Sequence, residues 1–271
     1  MTAPPVGGDP RPIGVFDSGL GGLTVLRSLI DLLPGESMIY FGDTGRFPYG
    51  SKPHAEVLAY AHQIADVLVA RDVKALVVAC NSATSVALEE LVTRLDVPVV
   101  GVIEPGLQAA VRATRTGRIG VIGTVGTVAS GAYQRAAAGL PVDLVCAACP
   151  GFVEFVEVGD VHSDQVRVLA ERLLAPVRAA GIDTLVLGCT HYPLLARTIG
   201  DVMGREVVLV SSADETAFRV RELVTGQALG APPGSAVGHT FVTSGDVAMF
   251  ERLGVRFLGP EVSSVEPWSW D

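Results

Sequence analysis

VKALVVACNSATSVALEEL (73–91) and IDTLVLGCTHYPLLARTI (182–199) decide how this chain folds. Superimposed, they set Leu76 on Leu185, Val77 on Val186 and Cys80 on Cys189. Each opens with a short apolar run, reaches a cysteine and stands there at the mouth of a predicted helix. One strand–cysteine–helix unit would be a packed thiol with a small neighbour. Two equivalent units predict a pseudo-symmetric site with a thiol on each side. That arrangement suits chemistry in which a proton leaves one face of a carbon and arrives on the other.

Outward from this repeat, β-rich runs alternate with helical patterns. The runs are PIGVFD (12–17), SMIYFGD (37–43), KALVVAC (74–80), VPVVGVI (97–103), GRIGVIG (117–123), VDLVCA (142–147), DTLVLGC (183–189), EVVLV (206–210) and HTFVTSG (239–245). Between them, Val57, Ile64 and Leu68 in 54–71, and Val166, Leu169, Leu173 and Val177 in 163–180, recur at helical spacing. Apolar runs bounded by turn residues and separated by helices predict buried parallel strands. The repeat predicts two pseudo-symmetric α/β domains with mostly parallel sheets and an active site in the cleft between them. The first half is expected over 1–100, with 211–271 returning to it, and the second over 101–210. The tail from Pro260 shows little pattern and is expected on the surface.

With 49% apolar and 18% charged residues in 271, the chain is globular. A net charge of −9 argues against a surface that grips nucleic acid, because such surfaces are basic. The start, MTAPPVGGDPRP, lacks the apolar centre of a signal peptide and reads as a frayed leader. No run approaches the roughly 18–20 apolar residues a spanning helix needs, so no membrane partner is expected. Four cysteines, Cys80, Cys146, Cys149 and Cys189, are too few for a disulfide framework, and a reducing cytoplasm fits best.

Ligands of open α/β sheets collect at the carboxyl ends of strands. Polar residues stand there at Asp17–Ser18, Asp43–Thr44, Cys80–Asn81–Ser82, Thr124 and Cys189–Thr190–His191. Capping explains any one of them; five together predict a polar pocket. A helix start beside each repeat cysteine would lower the thiol pKa and bind a carboxylate. The turn Ser18-Gly19-Leu20-Gly21-Gly22 fails both the dinucleotide and the phosphate-loop templates, and reads as a turn that lets a ligand approach the backbone. The loop from Asp43 to Gly50 is polar and carries two aromatics, Phe47 and Tyr49. Taken alone, Glu157 reads as a solvated glutamate, and Cys146-Ala-Ala-Cys149 as two core cysteines rather than a redox or metal pair. The only lysines are Lys52, in a loop, and Lys74, at the strand end far from Cys80. Neither suits a Schiff base, so no cofactor is expected, and no metal site either.

The motifs FDSGLGGLTVLR (16–27), YFGDTGRFPYG (40–50), VVACNSAT (77–84), IGVIGT (119–124) and LVLGCTHYPLL (185–195) are more specific. Through them the chain closely resembles the bacterial glutamate racemases of the cofactor-independent aspartate/glutamate racemase family, from about residue 12 to about 259. The resemblance implies interconversion of L- and D-glutamate, supplying D-glutamate for peptidoglycan. It implies that Cys80 removes the α-proton of D-glutamate while Cys189 protonates the carbanion, with the roles reversed for L-glutamate. It implies that Asp17 assists Cys80, that Glu157 and His191 assist Cys189, and that the protein is a homodimer. Substrate would be held by Asp17, Ser18, Tyr49, Gly50, Asn81, Ser82, Thr190 and His191, with Thr124 and Thr127 as further carboxylate contacts. Many relatives have Thr where Ser82 stands, which keeps the hydroxyl, and FVEFVE (152–157) departs from the commoner FVPLVE. The rival readings are a racemase of aspartate or a related acid, a thiol-redox protein pairing Cys80 with Cys189, and a non-catalytic regulator on the same scaffold.

Overall fold

The computed structural model describes residues 8–262 and 264–270. Of the expected leader, residues 1–7 lie outside the described residues. The stretch that follows is pinned: the Asp9 amide donates to the Gly230 carbonyl at 3.0 Å.

Ten strands form two sheets. β1 (Ile13–Asp17), β2 (Met38–Gly42), β3 (Ala75–Val78) and β4 (Val99–Gly101) alternate with helices, as do β5 (Arg118–Gly123), β6 (Asp143–Ala148), β7 (Thr184–Gly188) and β8 (Val208–Ser211). β9 (His239–Thr243) and β10 (Val265–Pro267) complete the set. One sheet runs β10-β9-β2-β1-β3-β4 and the other β6-β5-β7-β8. Every pairing among the described residues is parallel. The central strands β1, β3 and β7 are buried throughout, which is why their sequences are unbroken apolar runs.

The internal repeat reaches beyond the cysteines. Val15 of β1 registers with Val77 of β3, and Val121 of β5 with Val186 of β7. A Cβ at Gly14 would meet Val73 and Leu76 at 3.1–3.4 Å, and one at Gly120 would meet Ile182 and Leu185 at 2.4–3.0 Å. The same small residue on the first strand of each half makes room for the same two large ones. Burying each such Val, Leu or Ile contributes roughly 1.5–3 kcal/mol.

Three sequence expectations change. The helical stretch 163–180 is two helices, Asp164–Leu173 and Ala175–Ala179. Pro176 lacks the N–H that would continue the first. The second repeat does not enter an α-helix at its cysteine: a 3-10 turn over Tyr192–Leu195, with Pro193 near its start, precedes the helix Ala196–Met203. The tail is not a loose surface segment, because β10 pairs with β9 and both Val262 and Val265 are buried. Trp268 and Trp270 stack against Phe41 at ring distances of 6.1 and 5.5 Å. No helix among the described residues is long and apolar enough to cross a membrane.

Candidate active site

Strand order reverses beside β1 in one sheet, between β2 and β3, and beside β5 in the other, between β6 and β7. Such switch points open a crevice at the carboxyl ends of the strands. Asp17 ends β1, Cys80 follows β3, Thr124 follows β5 and Cys189 follows β7. The two crevices face each other across one cavity of about 80 Å³, with Cys80 and Cys189 both in its wall. At 10–15 Å³ per water, it holds on the order of half a dozen waters, a space for a small amino acid rather than a nucleotide.

Cys80 caps the helix Asn81–Arg94, its sulfur accepting from the Ala83 amide at 3.5 Å. The helix start does not win: burial, then the Asp17 carboxylate, push this thiol well above its ordinary range, against the pull of the Ala83 and Ser18 donors. The sequence expectation of a lowered pKa is corrected at Cys80 for this reason. Cys189 has no helix start at all. Its partner is His191, whose Nδ1 lies 4.0 Å from Sγ. His191 Nε2 meets Glu157 Oε1 at 2.6 Å. Burial by itself would lower the His191 pKa, but the hydrogen bonds to Cys189 and Glu157, with Asp17 nearby, overcome it and raise it to about 10. The imidazolium so favoured sits where it stabilises negative charge on the Cys189 sulfur. The pseudo-symmetry thus holds in the strands and breaks in the backbone after each cysteine and in the groups around each thiol.

Asp17 is fully buried and lies between these two settings. Burial raises its pKa, while His191 and the amides of Gly22, Gly19 and Ser18 pull the other way. It accepts from the Gly19 amide at 3.0 Å and from Thr190 Oγ1 at 3.5 Å. Glu157 lies on the helix Phe152–Val158, which buries Phe152 and Val156, and it is bonded to His191 rather than solvated.

The polar wall joins both halves. Ser82 Oγ stands 3.0 Å from Thr124 Oγ1 and 3.2 Å from Thr127 Oγ1, and the two threonines are 3.0 Å apart. Asn81 Oδ1 accepts from Tyr133 at 2.9 Å, while Asn81 Nδ2 is buried without a partner among the described residues. A buried donor left unpaired costs about 1–3 kcal/mol, which an acceptor on a ligand would relieve. Ser18, Gly50, Thr190 and His191 also line the cavity. Tyr49 lines it too; its hydroxyl donates to Asp43, and burial together with that carboxylate keeps the phenol un-ionised.

The glycine-rich turn also has another reason. A Cβ at Gly21 would lie 2.3 Å from Thr190 Oγ1 and 2.4 Å from His191 Nδ1. What approaches the backbone there is the opposite half of the protein. Gly50 makes the same allowance, with Thr124 Cβ 2.5 Å from a Cβ built on it. Cys149 is buried as expected but borders the cavity, whereas Cys146 on β6 is half-buried. Lys74 Nζ donates to Glu36 and to the Asp9 carbonyl, and neither lysine lines the cavity. Sequence reasoning missed Tyr133, the partners of Asp43 and the approach of the Phe47 ring to within 5.8 Å of that of His191. No local spacing signals these contacts.

The chain matches the family described as Asp/Glu/Hydantoin racemase over residues 13–217. It is 54% identical to the glutamate racemase of Acidothermus cellulolyticus, covering 94% of this chain and 97% of that protein. Among solved structures, glutamate racemase isoform RacE1 from Bacillus anthracis superposes with a TM-score of 0.90 at 39% identity, over 96% of this chain and 97% of that one. The glutamate racemase of Francisella tularensis in complex with D-glutamate gives 0.90 at 32% identity, over 96% and 98%. With the match spanning both halves and both cysteines, the chain belongs to the Asp/Glu/hydantoin racemase family.

Proposed function

We propose that this protein interconverts L- and D-glutamate by moving the α-proton between two thiols, without a cofactor, and so supplies D-glutamate for peptidoglycan. The observation that carries the reading is the facing of Cys80 and Cys189 at pseudo-equivalent strand ends on one small cavity. The D-glutamate complex of the Francisella relative supports the choice of substrate over aspartate.

In one direction the Cys189 sulfur, stabilised by the His191 cation, takes the α-proton of L-glutamate. The Cys80 thiol, which burial keeps protonated, returns a proton to the other face. In the other direction Cys80 is the base, with Asp17 available to move its proton. Asn81 Nδ2 and the hydroxyls of Ser82, Thr124 and Thr127 are donors for carboxylates, and donors fixed in a dry pocket stabilise the charge that the carbanion spreads into its carboxylate. Ser18, the Tyr49–Gly50 wall and Thr190 complete the substrate cradle. Two thiols held at one carbon remove the entropy cost of a second encounter.

This reading divides the chain into 1–100 completed by 211–271, and 101–210. The sheets support that division, since β1–β4, β9 and β10 share one and β5–β8 the other. Four free cysteines support a reducing cytoplasm. The homodimer is tested by sedimentation equilibrium.

The test of the function is incubation of the purified protein in D₂O with each enantiomer of glutamate. Interconversion with solvent deuterium at Cα is the expected result. Turnover of aspartate alone would leave the mechanism and refute the substrate; silence with every acidic amino acid would favour a binding role.

The ion pair at Cys189 has a pH signature. A folded His191 raised to about 10, from an ordinary 6.5, stabilises the fold fully below 6.5 and ceases to do so as pH rises through 10. Glu157→Gln removes one of the groups that raise it. Urea unfolding across pH 6–10 should show stability falling less steeply in the variant than in the parent. Equal slopes would deny the pairing.

A further inference from the structure

Asp43 is fully buried and collects donors from its own loop and from two distant parts of the chain. Oδ2 accepts from the Tyr49 hydroxyl and from Arg46 Nε at 2.7 Å. Oδ1 accepts from Ser244 Oγ at 2.5 Å and from Trp270 Nε1 at 2.9 Å. Its own amide donates to the Asp17 carbonyl at 3.0 Å, so this carboxylate is fixed to the end of the strand that carries Asp17. The Arg46 guanidinium lies between two rings, 3.8 Å from the Trp270 centroid and 4.0 Å from that of Tyr60. Cation–π contacts to Arg46 and charged hydrogen bonds to Asp43 therefore both hold the loop 43–51, and Trp270 contributes to each. That loop delivers Phe47, Tyr49 and Gly50 to the cavity wall.

The neighbouring tryptophan provides an internal contrast. Trp268 stacks on Phe41 and on Trp270, but its Nε1 is buried without a partner among the described residues. Two tryptophans in one aromatic cluster thus differ in their hold on the site: Trp270 contacts Asp43 and Arg46 of the loop directly, whereas Trp268 contacts Phe41, Trp270 and Arg71.

We propose that Trp270 is a positioning residue for the substrate: by donating to Asp43 and covering Arg46, it clamps the loop that places Tyr49 and Gly50 against the bound amino acid. The inference rests on the racemase reading for the identity of that amino acid. The clamp holds a wall that touches substrate in ground state and transition state alike, so its loss shows in KM rather than kcat.

Trp270→Phe keeps a ring over Arg46 and removes the donor; Trp268→Phe keeps a ring and removes an N–H that had no acceptor. Trp270→Phe is expected to raise KM for either enantiomer about tenfold, with kcat within about twofold, whereas Trp268→Phe leaves both unchanged. The second readout is optical, because these are the only two tryptophans in the chain. In Trp268→Phe all tryptophan emission comes from Trp270, and adding D-glutamate should change its intensity; in Trp270→Phe it should not. Equal KM shifts in the two variants, or an unchanged KM in Trp270→Phe, would overturn the clamp and reduce the cluster to packing. Emission from Trp268→Phe that ignores D-glutamate in an actively racemising protein would overturn it as well. If the parent does not turn over glutamate, the racemase reading fails separately, and titration of Trp268→Phe with aspartate then decides the clamp by the same response or its absence.

Discussion

Replacing either thiol by a hydroxyl is expected to abolish net racemisation, with turnover falling by about 10²–10⁴-fold in Cys80→Ser and in Cys189→Ser. A serine hydroxyl is so much weaker an acid that it serves neither as base at neutral pH nor as a matched proton donor. The two variants should not be equivalent, because the groups around the sulfurs differ. Cys189 keeps His191 and Glu157 beside it at 4.0 and 2.6 Å along the chain of contacts, while Cys80 sits with Asp17 and is held protonated by burial. Cys80→Ser therefore retains the better-equipped base and is expected to exchange the α-proton of L-glutamate with D₂O without inverting it. Cys189→Ser should exchange D-glutamate more slowly, since its remaining thiol must first ionise in a buried site. Mass spectrometry of each recovered enantiomer measures both. Racemisation near the parent rate in either variant would sink the two-thiol mechanism; equal exchange in the two would sink the asymmetry.

At the opposite end of β3 from Cys80, the largest effect expected is on stability. The Lys74 side chain is fully buried and that of Glu36 is 6% exposed, and the two are paired. Lys74 also donates to the Asp9 carbonyl at 2.7 Å, and Glu36 accepts from the Ala231 amide at 2.8 Å. Lys74→Ala leaves a buried carboxylate without its cation and is expected to cost about 3–5 kcal/mol, a large share of the roughly 5–15 kcal/mol that holds a domain folded. The double change Lys74→Met with Glu36→Leu removes both charges at once and should cost well under half of that. Glutamate turnover by the folded fraction at 25 °C should be unaffected in both. Urea midpoints supply the measurement, and a Lys74→Ala midpoint indistinguishable from the parent would show that the pair contributes nothing.

These two sites also differ in how far they could be read in advance. Both cysteines, the polar strand ends and the α/β alternation stand in short windows of sequence. The sequence puts Lys74 at the far strand end, unsuited to a Schiff base, but nothing near it points to Glu36. Glu157 looked solvated when taken alone, and only the packing of the helix Phe152–Val158 brings it to His191. The tail shows little pattern in sequence because Val265 and its neighbours form a strand only by pairing with β9, whose own pattern lies more than twenty residues earlier.

Strand and helix positions, the parallel character of the sheets and the placing of a thiol in each half follow from periodicity and from buried strands needing continuous apolar runs, which are properties of near neighbours. The electrostatic setting of each thiol follows from none of these. The charge-stabilising pair at Cys189, the protonated state of Cys80 and the hold of Trp270 on Asp43, 227 residues away, arise when segments far apart in the sequence pack together and leave particular donors facing particular acceptors. Burial, which decides the balance at Cys80 and is overcome at His191 by its hydrogen bonds, does not exist until the chain folds over them.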